Sequence, residues 1–301
     1  MRSQPRLIGA AVALALTLFA AGCGATTRGH ERTPPAAYSG ALHDALPKSV
    51  RAAGVLRVAT DASYAPASSF GPDGRTIVGF EPDLGAALGR VLGVKLRFVN
   101  TTFSDVLPDV IHHRTDLVMS AVTDTAERER KVDFVNYFEA GTAIVVQRGN
   151  PAGITDLVGL CGQTVAVEKG TVQVDLLARS QKQCAGERIR VRTFDTNTDA
   201  LVQLRTGRAS AVLNDYPPAT ALSTDARTRA HYQLASNTQY EPGLYGIAVA
   251  KDRGELRDAV EAALERLIRS GEYTEILRRW NVSDGSVDAA SINGGGTPGV
   301  S

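Results

Sequence analysis

Val118-Met-Ser-Ala-Val-Thr-Asp-Thr-Ala-Glu-Arg-Glu-Arg130 passes from an apolar run through hydroxyls into a cluster of acids and arginines. The run 117–122 has the length and branched content of a buried strand. Thr123 or Thr125 is placed to cap a following helical turn through its side-chain oxygen, with Glu127 suited to a capping box. The order describes a strand whose end opens into a polar, anion-binding turn. Ser120 and Thr123 then lie beside free backbone N–H groups, with Arg128 one turn further on. A guanidinium offers a fixed fork of donors that matches a carboxylate two-to-two, so Arg128 is a candidate carboxylate clamp. A solvated helix face carrying Arg128 and Arg130 fits the same residues.

On either side of this stretch, strand and helix patterns alternate. Residues 55–60 read as a first strand running into Asp61-Ala-Ser-Tyr-Ala-Pro66, a loop at the strand's carboxyl end where α/β sheets form ligand crevices. Leu84, Ala87, Leu88, Val91 and Leu92 recur at helical spacing and predict a helix packed on a sheet. Pro82 with the acids Glu81 and Asp83 suits its start. The rhythm continues with strands near 94–100, 164–168, 189–194, 209–213 and 246–250, and with helices near 172–179, 198–205 and 255–269. Such alternation argues for parallel sheets covered by helices on both faces.

The 301 residues are enough for two ordinary domains, and 43% hydrophobic content supports sizeable cores. Lys+Arg 33 against Asp+Glu 32 leaves no basic excess, and no basic cluster is interleaved with aromatics. Nucleic acid is therefore not an expected partner. The histidines His30, His43, His112, His113 and His231 are scattered, and adjacent helical residues diverge, so no metal site and no cofactor are expected.

Residues 1–22 read as a signal peptide: Arg2 and Arg6 precede an apolar core too short to span a bilayer comfortably, and Ala20-Ala-Gly-Cys23 follows. This segment is similar to a bacterial lipobox, which would make Cys23 a lipidated mature N-terminus anchored to the membrane; an ordinary secretory signal is the competing reading. Either way the folded part is expected outside the cytoplasm. Cys161 and Cys184 then remain, an even pair in an exported chain, and a disulfide is expected between them. Residues 23–52, rich in Ala, Thr and Pro, read as a tether, and 284–301, rich in Ser and Gly, as a disordered tail.

Gly79-Phe-Glu-Pro-Asp-Leu84, the segment from Ser120 to Arg128 and Asn214-Asp215 occur in the order and spacing of a known family. The chain resembles the family 3 bacterial extracellular solute-binding proteins, the polar amino-acid receptors of ABC importers. The resemblance implies a two-lobed periplasmic-binding-protein fold, two doubly wound α/β sheets joined by two hinge strands near 142–147 and 246–250. Lobe 1 would comprise 53–144 with 244–283, and lobe 2 145–243. A monomer that passes an amino acid to a membrane permease is implied.

By position, the resemblance makes Tyr64 and Phe103 aromatic walls around the ligand and Arg128 its carboxylate anchor, flanked by Ser120, Ala121 and Thr123. Gly170, Thr171 and Val172 match a turn presenting N–H groups to the same carboxylate, and Asp215 matches the acid that holds the α-ammonium. Asp215 also reads as a turn residue before Pro217-Pro218. Asp61 and Glu168 would face the ligand's side chain and favour a cationic or hydrogen-bonding one over an acidic one; a pairing of Glu168 with Lys169 would undo this. An enzyme on the same fold, similar to the cyclohexadienyl dehydratases with Glu168 as the acid, is the alternative from another class. The family's second aromatic after Tyr64 is absent, since Ala65-Pro66-Ala67 follows.

Overall fold

The computed structural model describes residues 35–295. The expected signal peptide and Cys23 lie outside the described residues, as does 296–301.

In chain order the elements are α1 (Gly40–Ala45), α2 (Lys48–Ala53), β1 (Val55–Thr60), the short β2 (Ser63–Tyr64), β3 (Ser68–Phe70) and β4 (Ile77–Val78), α3 (Phe80–Leu92), β5 (Lys95–Asn100), α4 (Phe103–Ile111), β6 (Leu117–Val118), α5 (Ala126–Glu129) and β7 (Val132–Gln147). They continue with β8 (Thr164–Glu168), α6 (Val172–Ser180), β9 (Arg190–Phe194), α7 (Asn197–Arg205), β10 (Ala211–Asp215), α8 (Tyr216–Thr224), β11 (Tyr232–Leu234), β12 (Tyr240–Ala250), α9 (Gly254–Ser270), α10 (Glu272–Arg279) and β13 (Ser291–Ile292).

The main sheet runs β5-β1-β6-β12-β7-β10-β8-β9, with β11 and β13 also paired to β7. At one end β1 lies parallel to β5 and β6; at the other β8 lies parallel to β9 and β10. Between them β7 and β12 run antiparallel. The sheets expected as two are thus continuous. The reason is β7, in which buried residues follow one another almost without interruption for 16 residues. It pairs with β12 from Val132 to Thr142, with an irregularity after Ala140, and with β10 from Thr142 to Val146. The crossover strand therefore begins ten residues before the expected 142.

Each end has its own core on both sheet faces. Leu56 and Val58 of β1 pack with Leu84, Leu88 and Leu92 of α3 and Leu256, Val260 and Leu264 of α9. Val118 and Val122 face Val106 and Val110 of α4 on the other side. In the second lobe Val165 and Val167 meet Leu176 and Leu177 of α6, while Ala166 and Val212 meet Ala200 and Leu204 of α7. Full burial of one such leucine is worth about 1.5–3 kcal/mol. Gly79 fixes where α3 begins: a Cβ there would lie 1.9 Å from the Ala67 carbonyl oxygen.

Both terminal expectations differ from what is observed. Within the expected tether, Leu46 and Val50 are buried in the first lobe's core and the Ser39 N–H donates to the Val91 carbonyl. Leu46 follows α1, which buries no residue of its own, and Val50 is the one buried residue of α2. In the expected disordered tail, β13 adds a strand to β7 at Asn136 and Val135. Asn293 exchanges hydrogen bonds with the Phe134 backbone of β7, while Ser291 Oγ and the Gly294 N–H donate to the Asn136 side chain. Cys161 and Cys184 are joined, with Cα atoms 5.5 Å apart. Among the described residues no helix is long and apolar enough to cross a membrane.

Candidate functional site

The site forms where strand ends of both lobes meet. β1 delivers Asp61, whose carboxylate accepts from the Ser63 N–H at 2.8 Å and from Phe103 N–H, in the first turn of α4, at 3.1 Å. The Asp61 N–H donates to Ser120 Oγ at 2.9 Å. At the end of β6 the backbone turns through Ala121, φ 47°, and its N–H donates to buried Glu81 Oε1 at 2.6 Å. The N–H groups expected to be free beside Ser120 are therefore occupied at Asp61 and Ala121, and Ser120 lies behind the cleft rather than in its lining. Thr125 is the residue that caps α5, accepting from Arg128 N–H at 3.3 Å.

Five residues of the first lobe, Tyr64, Phe103, Ala121, Thr123 and Arg128, line a small cavity together with Glu168, Thr171, Val172, Gln173 and Asp215 of the second. Gly170 lies in the wider outer cleft, next to Lys169 and Thr171. Arg128 bridges the lobes: Nη1 donates to the Thr123 carbonyl at 2.7 Å and Nη2 to the Gly170 carbonyl at 2.9 Å. Its guanidinium stands 5.7 Å from the centre of the Phe103 ring. Burial lowers its pKa, while Asp175 and Asp215 pull it back up. Thr171 precedes α6 without a side-chain capping bond, and its hydroxyl donates to the Glu168 carbonyl at 2.8 Å.

Asp215, at the end of β10, accepts from Gln173 Nε2 at 2.6 Å and from the Tyr64 hydroxyl at 3.1 Å. Burial pushes it up to about 6, against the pull of these donors and of Arg128. Glu168, at the end of β8, accepts from Asn197 N–H at 3.0 Å. Burial, followed by the charge of Asp61, pushes it up to about 9, so at neutral pH it keeps its proton. Lys169 does not compensate it: the Lys169 side chain is exposed and no ion pair joins the two.

Three contributors were not expected from the sequence. Gln173 orients Asp215, and an uncharged glutamine in a helix gives no signal of that role. The Asn197 N–H, at the start of α7, supports Glu168. Tyr245 of β12 is buried beside Asp215, close enough for the two to perturb each other. Chemically, the small cavity offers one guanidinium, Arg128, and two carboxyl groups, Glu168 and Asp215. Among the described residues no group of three His, Cys, Asp or Glu side chains could hold a metal.

Residues 56–283 match the sequence profile of the bacterial extracellular solute-binding proteins, family 3. The arginine-binding protein ArgT of Corynebacterium glutamicum is 30% identical over 255 residues, covering 82% of this chain and 81% of ArgT. An ancestral arginine-binding protein solved with arginine bound has a TM-score of 0.69 at 35% identity, covering 75% of this chain and 98% of its own. The ancestral amino acid-binding protein AncCDT-1, a precursor of cyclohexadienyl dehydratase, has a TM-score of 0.69 at 31% identity, covering 77% and 97%.

Proposed function

The chain belongs to family 3 of the bacterial extracellular solute-binding proteins, and from that premise we propose that it binds a basic amino acid, arginine before others, for an ABC permease. One observation carries the choice of a cationic side chain: Glu168 and Asp215 line the small cavity with a single arginine, Arg128, and Asp61 of the other lobe is near enough to act on Glu168. An acidic side chain would add another carboxylate to this cluster, which is costly in a buried site. A guanidinium would instead satisfy Asp61 and Glu168 through several donors at once. In this reading Arg128 holds the ligand carboxylate, Asp215 its ammonium, and Tyr64 and Phe103 its stem. The N–H groups of Gly170, Thr171 and Val172 complete the carboxylate end.

Binding, rather than catalysis, is the family's role, and the neighbour that preceded a dehydratase is itself an amino acid-binding protein. Glu168 is accordingly read as a ligand contact and not as the acid of a dehydratase. We further propose a monomer tethered through lipidated Cys23; a clickable fatty acid should label the wild type and not Cys23→Ser. Calorimetry with L-arginine, L-lysine, L-glutamine and L-glutamate tests the ligand class. L-arginine at about one hundred times its Kd should stabilise the fold by about 2.7 kcal/mol. Binding of L-glutamate as tightly as L-arginine would overturn the assignment.

A further inference from the structure

The segment 284–295 lies beyond the residues that match the family, yet it is fastened along the first lobe up to the cleft. β13 pairs with β7 at Asn136 and Val135. Beyond it, Asn293 N–H donates to the Phe134 carbonyl at 3.1 Å, and Phe134 N–H donates to Asn293 Oδ1 at 2.8 Å. Gly294 N–H donates to Asn136 Oδ1 at 2.9 Å, and Gly295 N–H to Asp124 Oδ2 at 3.0 Å.

Asp124 is the junction. The same Oδ2 accepts from Asn136 Nδ2 at 2.9 Å, and Asp124 N–H donates to the Leu244 carbonyl of β12 at 2.7 Å. Asp124 follows Thr123, whose carbonyl accepts from Arg128 Nη1. The fit leaves no room for a side chain, because a Cβ at Gly295 would lie 2.2 Å from the Asp124 carbonyl oxygen. Gly295 also lines the outer cleft beside Thr123 and Arg128. Burial pushes Asp124 up to about 6, and the Asn136 and Gly295 donors oppose that shift.

We propose that residues 289–295 form a strap that positions Arg128: by holding Asp124 between the two crossover strands, it sets the Thr123 carbonyl against which the guanidinium is aimed. The inference rests on reading Arg128 as the ligand's carboxylate anchor. A strap that only covers the free edge of β7 would protect that strand and nothing beyond it.

Two variants of the full chain separate these roles, deletion of 289–301 and Gly295→Val, the second retaining β13. Hydrogen exchange is read first, without ligand. Positioning predicts that both variants lose protection across 123–130; protection lost only along β7, or not at all, overturns the strap. Affinities for L-arginine and L-argininamide follow. L-arginine should weaken about threefold to thirtyfold, the range of indirect coupling, and its preference over the amide should shrink. Equal weakening of both ligands overturns the positioning role. A wild type that binds neither would refute the proposed function instead, with the exchange result still deciding the strap.

Discussion

The Tyr64 hydroxyl joins the lobes at Asp215, donating to its carboxylate at 3.1 Å and accepting from its backbone N–H at 2.8 Å. A phenol from the β1 loop thereby engages the end of β10, and the closed arrangement gains two hydrogen bonds through one oxygen. A bond to a charged group contributes about 1.5–3 kcal/mol, enough to shift an open–closed equilibrium by roughly tenfold or more. Tyr64→Phe should therefore raise the fraction of open molecules without ligand. Small-angle scattering should report a larger radius of gyration for the variant. The same radius in both proteins would mean that closure does not depend on this contact.

Glu168 gives the fold a pH dependence of definite sign. Its folded pKa of about 9 lies above the ordinary 4.5, so across that interval the native state holds a proton that the unfolded state has released. Stability present below pH 4.5 is lost as pH rises through 9, at up to about 1.4 kcal/mol per pH unit for one proton. Asp215, raised from 3.8 to about 6, acts in the same direction over a lower window. Denaturant titrations at pH 5, 7 and 9 should show the wild type weakening with pH. Glu168→Gln should flatten the upper half of that trend, and an unaltered slope would show that Glu168 is not the group responsible.

The Cys161–Cys184 bridge closes a loop with a sequence separation of 23, for which the chain-entropy estimate is about 3 kcal/mol. Replacing both cysteines by serine should lower the thermal midpoint by several degrees. A midpoint equal to the wild type would indicate that the purified protein carries free thiols.

What the sequence disclosed follows from how local each signal is. Leu84, Leu88 and Leu92 announce α3 because a helical stripe is complete within thirteen residues. Asp215 stands out as a charged residue at a strand end, and Arg128 as one in the helical turn that follows another strand. Glu81 misleads for the opposite reason. It reads only as an acid suited to a helix start, but it is wholly buried, accepting from Ser68 Oγ at 2.8 Å, from Ala121 N–H at 2.6 Å and from the Tyr137 hydroxyl. Those partners come from three separate segments, and no local pattern records their convergence. Gln173 and Tyr245 were missed similarly, since their neighbour Asp215 is assembled only by the fold. The strap was concealed by composition: Gly294 and Gly295 look like flexible linker residues, whereas here the missing side chain is what allows close approach.

The charge assignment can be tested without tearing the site apart. Alanine at 215 would leave Tyr64 and Gln173 without their acceptor, mixing lost charge with lost structure; Asp215→Asn keeps an oxygen in place and removes the charge. Arg128→Lys keeps a charge but cannot span the Thr123 and Gly170 carbonyls while facing a ligand carboxylate, because it lacks the planar fork. Truncating one partner of a buried charge pair costs about 2–5 kcal/mol, so L-arginine affinity should fall at least about thirtyfold in Asp215→Asn. The two variants should also fail differently. Arg128→Lys should lose preference for L-arginine over L-argininamide, whereas Asp215→Asn should lose preference over the deaminated acid, which lacks the ammonium. Calorimetry with the three compounds makes the comparison, with circular dichroism as the check on folding. If both folded variants bind L-arginine as the wild type does, Arg128 and Asp215 do not hold the two charged ends of the ligand.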